Sequence, residues 1–167
     1  MRRALAIVAA TALIALTGGC GLRPLYQGGG SGVVARELGG VAVAPIDGKA
    51  GWLVSHAVAD RLGEPSDKPR YRLEIELDDQ ISGFGVRTDD AITRERRTLR
   101  ARYRLVDAEA GTVLLDTTAS ADAGIDVVNS GYATIAAENG ALENLTQIIA
   151  DQIVARVALY ASRTQEK

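Results

Sequence analysis

Apolar and polar positions alternate with period two over residues 70–79. Tyr71, Leu73, Ile75 and Leu77 fall on one side, and Arg72, Glu74, Glu76 and Asp78 on the other. That pattern predicts a strand with one face buried and one in water. Residues 98–106 repeat it, with Leu99, Ala101, Tyr103 and Leu105 inward and Arg100, Arg102 and Arg104 outward. After a turn at Asp107-Ala108-Glu109-Ala110-Gly111, residues 112–121 do so again, with Val113, Leu115, Thr117, Ala119 and Ala121 inward. Three such strands joined by turns predict an antiparallel meander with one wet face. On that face Arg100, Arg102 and Arg104 can lie opposite Glu74, Glu76 and Asp78. Opposite charges paired across strands contribute a few tenths to about 1 kcal/mol each.

The period changes to that of a helix in two places. Leu53, Val54, Ala57, Val58 and Leu62 form a stripe over residues 50–62, stopped by Gly63 and Pro65. Val41-Ala42-Val43-Ala44-Pro45 before it reads as a first short strand. Near the end, Tyr132, Ile135, Ala136, Leu142, Leu145, Ile149, Ile153, Val157 and Tyr160 recur at helical spacing. Asn129 or Ser130 is the expected cap, and residues 126–130 the expected turn. Such a helix, roughly 40 Å long, would cross the back of the sheet, and Gly140 is a place for it to bend. The expected fold is α+β: a two-layer sandwich of a four-stranded, mostly antiparallel sheet with two helices packed on one face.

The first 20 residues, MRRALAIVAATALIALTGGC, follow a different logic. Arg2 and Arg3 precede a 13-residue apolar run over 4–16, too short to span a bilayer, which takes about 20 residues. Small residues follow, so residues 1–19 read as a cleavable signal peptide. Cys20 is the chain's single cysteine, which excludes an intramolecular disulfide. Placed directly after small residues, it resembles the lipobox cysteine that receives diacylglycerol and becomes the mature N-terminus. Thr17 stands where leucine is usual, with Leu16 one place early. Residues 20–40, with Gly28-Gly29-Gly30-Ser31-Gly32, read as a lipidated tether that as a coil spans roughly 25 Å. A single domain at 41–162 and a short tail at 163–167 complete the expected organisation.

Charge narrows the chemistry further. Losing Arg2 and Arg3 with the signal leaves 17 basic against 21 acidic side chains, a net charge of −4. That argues against nucleic-acid binding, which calls for a basic domain. The glycine run lacks the Lys-Ser/Thr ending of a phosphate loop. His56, the one histidine, falls on the polar side of its helix. Asp89 and Asp90, adjacent in sequence, read as solvated charges. No Gly-x-Ser-x-Gly elbow is present, which speaks against a hydrolase; neither enzymatic activity, a cofactor nor a metal is expected. Residues 80–97 read as a long connection whose tip, 82–90, includes Phe84. Its base opens a run of six arginines: Arg94, Arg96, Arg97, Arg100, Arg102 and Arg104. Guanidinium groups suit bidentate binding of phosphate and carboxylate.

Cys20-Gly21-Leu22-Arg23-Pro24-Leu25-Tyr26 resembles the start of the lipopolysaccharide-assembly lipoprotein family LptE, with Leu22 where phenylalanine is common. The likeness continues in order through Val41-Ala42-Val43-Ala44-Pro45-Ile46, Tyr71-Arg72-Leu73, Tyr103-Arg104-Leu105-Val106 and Asp126-Val127-Val128-Asn129-Ser130-Gly131-Tyr132-Ala133-Thr134. It is closest to the short alphaproteobacterial form. The resemblance implies a non-enzymatic lipoprotein anchored on the periplasmic side of the outer membrane and seated in an LptD-type β-barrel. With that barrel it would insert lipopolysaccharide into the outer leaflet. On this reading Phe84, Arg100, Arg102 and Arg104 are expected to meet the polar lumen of the barrel. Arg94, Arg96 and Arg97 are expected to bind phosphates or acidic sugars of the lipopolysaccharide, because not all three should find partners on the neighbouring strand. The alternative is a free periplasmic-facing lipoprotein that binds an envelope protein or a small ligand without a barrel.

Overall fold

A computed structural model describes residues 38–63, 66–86, 92–128 and 130–164. Four strands form one sheet in chain order: β1 (Val41–Val43), β2 (Tyr71–Val86), β3 (Ile92–Asp107) and β4 (Val113–Asp126). Helix α1 (Gly48–Leu62) links β1 to β2, which lie parallel, and the other pairs are antiparallel. Helix α2 (Gly131–Thr164) follows β4. The expected α+β sheet with two helices is the one observed.

The period-two reading holds residue by residue in the middle of the sheet. Glu74 pairs with Arg104, Glu76 with Arg102 and Asp78 with Arg100, so the acidic and basic sets face each other as expected. Tyr71, Leu73, Ile75, Leu99, Ala101, Tyr103, Leu105 and Ala119 are buried on the other face. Val54, Ala57, Val58 and Leu62 of α1 and Leu142, Leu145, Ile149, Ile153 and Val157 of α2 join them in one core. Fully burying each of the valine, leucine and isoleucine side chains among them contributes about 1.5–3 kcal/mol. Leu38 is buried in the same core, and the Gly39 and Gly40 carbonyls accept the Ser66 and Tyr71 N–H groups. Residues 38–40 therefore pack with the domain rather than with the tether.

Four boundaries differ from the sequence reading. The connection expected over 80–97 is mostly strand: β2 and β3 run 16 residues each and stay paired as far as Val86 and Ile92. Beyond Leu77 the inner row becomes Asp79, Ile81, Gly83 and Gly85, so backbone pairing continues where apolar alternation has stopped. Second, Asp126 ends β4 rather than opening a turn. Third, Val113 is 54% exposed, because a bulge opposite Leu105 and Val106 pairs it with Val106 and shifts its side chain to the outer face. Fourth, Tyr132 and Ile135 are 86% and 57% exposed, and Ala136 is exposed too. The sheet below that end of α2 offers Arg97, Asp79 and Glu95 instead of an apolar surface. Helix α2 has 34 residues, about 50 Å, and runs through Gly140 without interruption.

Local signals set the turns. Asp107 Oδ1 accepts the N–H groups of Glu109 (3.0 Å) and Ala110 (2.9 Å), fixing the β3–β4 turn and holding its carboxyl below the usual range. Ser130 Oγ accepts the Ala133 N–H at 3.4 Å and caps α2; Asn129, the other expected cap, lies outside the described residues.

Gly51 marks a close approach. A Cβ there would stand 2.6 Å from the Ile46 carbonyl oxygen, which is backbone and cannot rotate away. Gly51→Ala gains about 1 kcal/mol of helix propensity, but separating α1 from the β1–α1 connection costs about 1–3 kcal/mol. The expected result is net destabilisation, read as a lower urea midpoint.

Candidate functional site: the charged sheet face and its hairpin

The outer face of the sheet, opposite the helices, is a grid of ion pairs. Arg72 Nη2 lies 2.8 Å from Glu74, and Arg104 bridges Glu74 (3.2 Å) and Glu76 (3.3 Å). Arg102 donates to both Asp116 oxygens, at 3.1 and 2.8 Å. That bond holds the Asp116 carboxyl below its ordinary range and raises the guanidinium. Further along β3, Arg96 is 3.8 Å from Asp122 and Arg94 is 3.1 Å from Asp126. The Arg96 guanidinium also sits 5.6 Å from the Phe84 ring centre, within cation–π range. Phe84, Arg100, Arg102 and Arg104 share this face, which the strand phase requires.

The expectation that not all three hairpin-base arginines find strand partners is corrected. Each has a carboxylate on an adjacent strand, and they do not form one group. Arg97 has the phase of Leu99 and points inward, while Arg94 and Arg96 point outward. Its Nε and Nη2 donate to Asp79 at 2.8 and 2.6 Å, and Nη1 donates to the Glu138 carbonyl of α2 at 2.8 Å. Its side chain is 11% exposed, so the Asp79 bond outweighs the cost of burial and raises the guanidinium pKa. Arg94 and Arg96 remain 64% and 58% exposed. Arg100, expected to have a partner, makes no ion pair among the described residues; Asp78 opposite it accepts from Gln80 instead. Cys20, Asp89 and Asp90 lie outside the described residues.

A second feature escaped the sequence reading. A cleft of about 350 Å³ separates Val43, Pro45 and Ile46 from Trp52, His56 and Ala59 of α1. Trp52 is 57% exposed, and the His56 ring packs on it with centroids 4.2 Å apart. His56 Nδ1 lies 2.8 Å from the Trp52 carbonyl oxygen, so that nitrogen carries the proton. A tryptophan outside the apolar stripe of α1 was the signal available in the sequence.

Solved structures share the fold. A protein described as a lipoprotein from Caulobacter crescentus superimposes with a TM-score of 0.65 at 23% identity, covering 77% of this chain and 96% of its own. Rare lipoprotein B from Shewanella oneidensis gives 0.60 at 8% identity, with coverage of 75% and 96%. Lipoprotein B from Nitrosomonas europaea gives 0.57 at 14%, with coverage of 73% and 82%. At these identities the likeness is one of fold alone. No curated protein matches the sequence. The family model for lipopolysaccharide assembly, LptE, matches residues 38–157, which takes in β1, the arginine-rich hairpin and most of α2. With most of its length covered by that one model, and its sheet and helices arranged accordingly, the chain belongs to the LptE lipopolysaccharide-assembly family.

Proposed function

We propose that this chain is a lipid-anchored outer-membrane protein that sits in an LptD-type β-barrel and assists delivery of lipopolysaccharide to the outer leaflet. Family membership supports the assembly role. The observation that carries the barrel contact is the sheet's outer face. Phe84, Arg100, Arg102 and Arg104 lie together on a polar surface that no helix covers among the described residues, suited to the polar lumen of a large barrel. A β-barrel should copurify with the tagged mature chain in mild detergent, and photocrosslinkers at Phe84 or Arg102 should capture it. Crosslinks obtained only from the solvent faces of α1 and α2 would reverse the orientation, and recovery of no barrel would remove the partner.

Anchoring is assigned to Cys20, with residues 1–19 as the signal peptide. Gly21 follows it, without the aspartate that retains many lipoproteins at the inner membrane. Cys20→Ala is expected to leave a soluble or uncleaved precursor, whereas mass spectrometry showing an unmodified Cys20 in the mature protein would exclude the anchor. The cleft beside Trp52 favours a second reading, a free envelope lipoprotein with a small apolar ligand. No bond-making chemistry is proposed on either reading.

A further inference from the structure

β4, 14 residues long, is the last strand of the sheet, and no strand pairs with its outer edge among the described residues. The hydrogen-bond phase tells which groups line that edge. Asp107 N–H donates to the Thr112 carbonyl, so odd-numbered residues of β3 bond toward β4. The register pairs them with odd-numbered residues of β4, from Leu115 to Ile125. The opposite side of the sheet agrees. Tyr71 donates to Gly40, and the Leu73 carbonyl accepts from Ala44, so odd residues of β2 face β1 and even ones face β3. The even residues of β4, from Asp116 to Asp126, therefore turn their N–H and C=O groups outward. Gln152 Nε2 reaches one of these carbonyls, that of Ser120, at 3.4 Å.

Proteins usually blunt such an edge with lysine, proline, shortness or a cover. β4 contains no lysine and no proline, and residues 117–124 read Thr-Thr-Ala-Ser-Ala-Asp-Ala-Gly, small on both faces. Asp116, Asp122 and Asp126 reach back to arginines of β3 in exposed pairs, each worth about 0–1 kcal/mol and so readily shared.

We propose that the β4 edge is a docking edge that takes an extended segment of the barrel partner as a fifth strand. Basic side chains of that segment lie opposite Asp116, Asp122 and Asp126. Backbone pairing supplies the affinity, and the acidic row supplies the choice of partner. A second copy of the chain is the poorer occupant. Two-fold axes at Ala119 and Ala121 set Asp116 of each copy against Asp122 or Asp126 of the other, and like charges directly opposite are destabilising; an axis at Ser120 avoids that clash but brings no basic side chain to any of the three aspartates. The inference rests on the barrel reading above.

Amide hydrogen exchange of the mature chain, free and in the copurified barrel complex, tests it. In the free chain the amides of Thr118, Ser120, Asp122 and Gly124 are expected to exchange fast, while those of Thr117, Ala119 and Ala121 are slow. In the complex the even set slows at least about tenfold, as expected for newly bonded amides. Even amides that keep their free-chain rates within an intact complex overturn the inference and leave the barrel reading standing. If no barrel copurifies, the barrel reading falls, and the edge is probed with the peptide Thr-Arg-Thr-Arg-Thr-Arg-Thr. Slowing of the even amides by the peptide then upholds a basic-strand edge, and unchanged rates end it. Slowing in the free chain that grows with its own concentration identifies a second copy and overturns the proposed occupant. Thr118→Pro removes an outward N–H without removing a bond to β3. Ser120→Lys, which keeps every N–H, guards the edge should the proline variant not fold. Either folded variant is expected to lose the slowing.

Discussion

Arg97→Ala is expected to destabilise the fold by about 2–4 kcal/mol, and the same change at Arg94 or Arg96 by less than about 1 kcal/mol. The three residues are near neighbours of one type on one strand, and only burial separates them. Arg97 is 11% exposed and satisfied by both Asp79 oxygens and the Glu138 carbonyl. Removing it strands a carboxylate that keeps 23% of its side-chain surface in water, so the cost lies somewhat below the roughly 3–5 kcal/mol for breaking a fully buried pair. Arg94 and Arg96 make exposed pairs of the kind worth about 0–1 kcal/mol. Urea unfolding measures this as a shift of the midpoint at constant slope. The double variant Arg97→Met/Asp79→Leu should recover much of the loss, because apolar replacement of both partners leaves no stranded charge. An Arg97→Ala midpoint equal to that of the parent chain would show that the pair adds nothing.

The same arginine shows where the sequence was legible and where it was not. From Tyr71 to Leu77 and from Leu99 to Leu105 the helices cover the inner face. Burial there demands apolar side chains at every second position, so strand and face could be read. Past Leu77 the demand ends. Ile81 is 44% exposed, and its strand neighbours on that face are Asp79 and Gly83. The ladder still continues to Val86, held by backbone bonds that leave no period in the sequence. With the strands taken to end early, Arg97 looked like one of three loop-base cations, although extending the alternation by one step from Leu99 puts it inside. The bulge near Val113 hid a change of phase for a similar reason, since one extra residue leaves the composition of the strand unchanged. In α2 the helical spacing of Tyr132 and Ile135 was real, but spacing does not reveal whether a partner surface lies beneath. The outer-face set of Arg100, Arg102 and Arg104 was legible because phase alone places it, whereas Phe84 lay beyond the strand that the alternation marks. The Trp52 cleft was not, since it is built by a close approach at Gly51 between segments of unrelated pattern.

Reversing the two exposed hairpin arginines, Arg94→Glu with Arg96→Glu, is expected to weaken binding of purified lipopolysaccharide about tenfold at low salt while the fold stays intact. The candidate anion site narrows to these two, since the Arg97 donors are already committed within the fold. The ion-pair partner of each is an exposed carboxylate, Asp126 at 3.1 Å and Asp122 at 3.8 Å, so a phosphate can compete for it, and the Phe84 ring beside Arg96 leaves its N–H donors uncommitted. A charge-assisted bond contributes about 1.5–3 kcal/mol when well made. Solvent exposure and the existing pairs reduce the sum for both sites to about 1.4 kcal/mol, which is tenfold. Arg102→Gln is the control, because its two bonds to Asp116, against one contact each at Arg94 and Arg96, make it the harder guanidinium for a ligand to win. Arg100→Gln decides the remaining question, since that guanidinium alone on the outer face has no ion pair among the described residues. A loss seen at Arg100 and not at the hairpin would move the anion site to the middle of the sheet. Binding unchanged in the reversed protein at low salt, where electrostatic contacts are strongest, would make Arg94 and Arg96 ordinary surface charge.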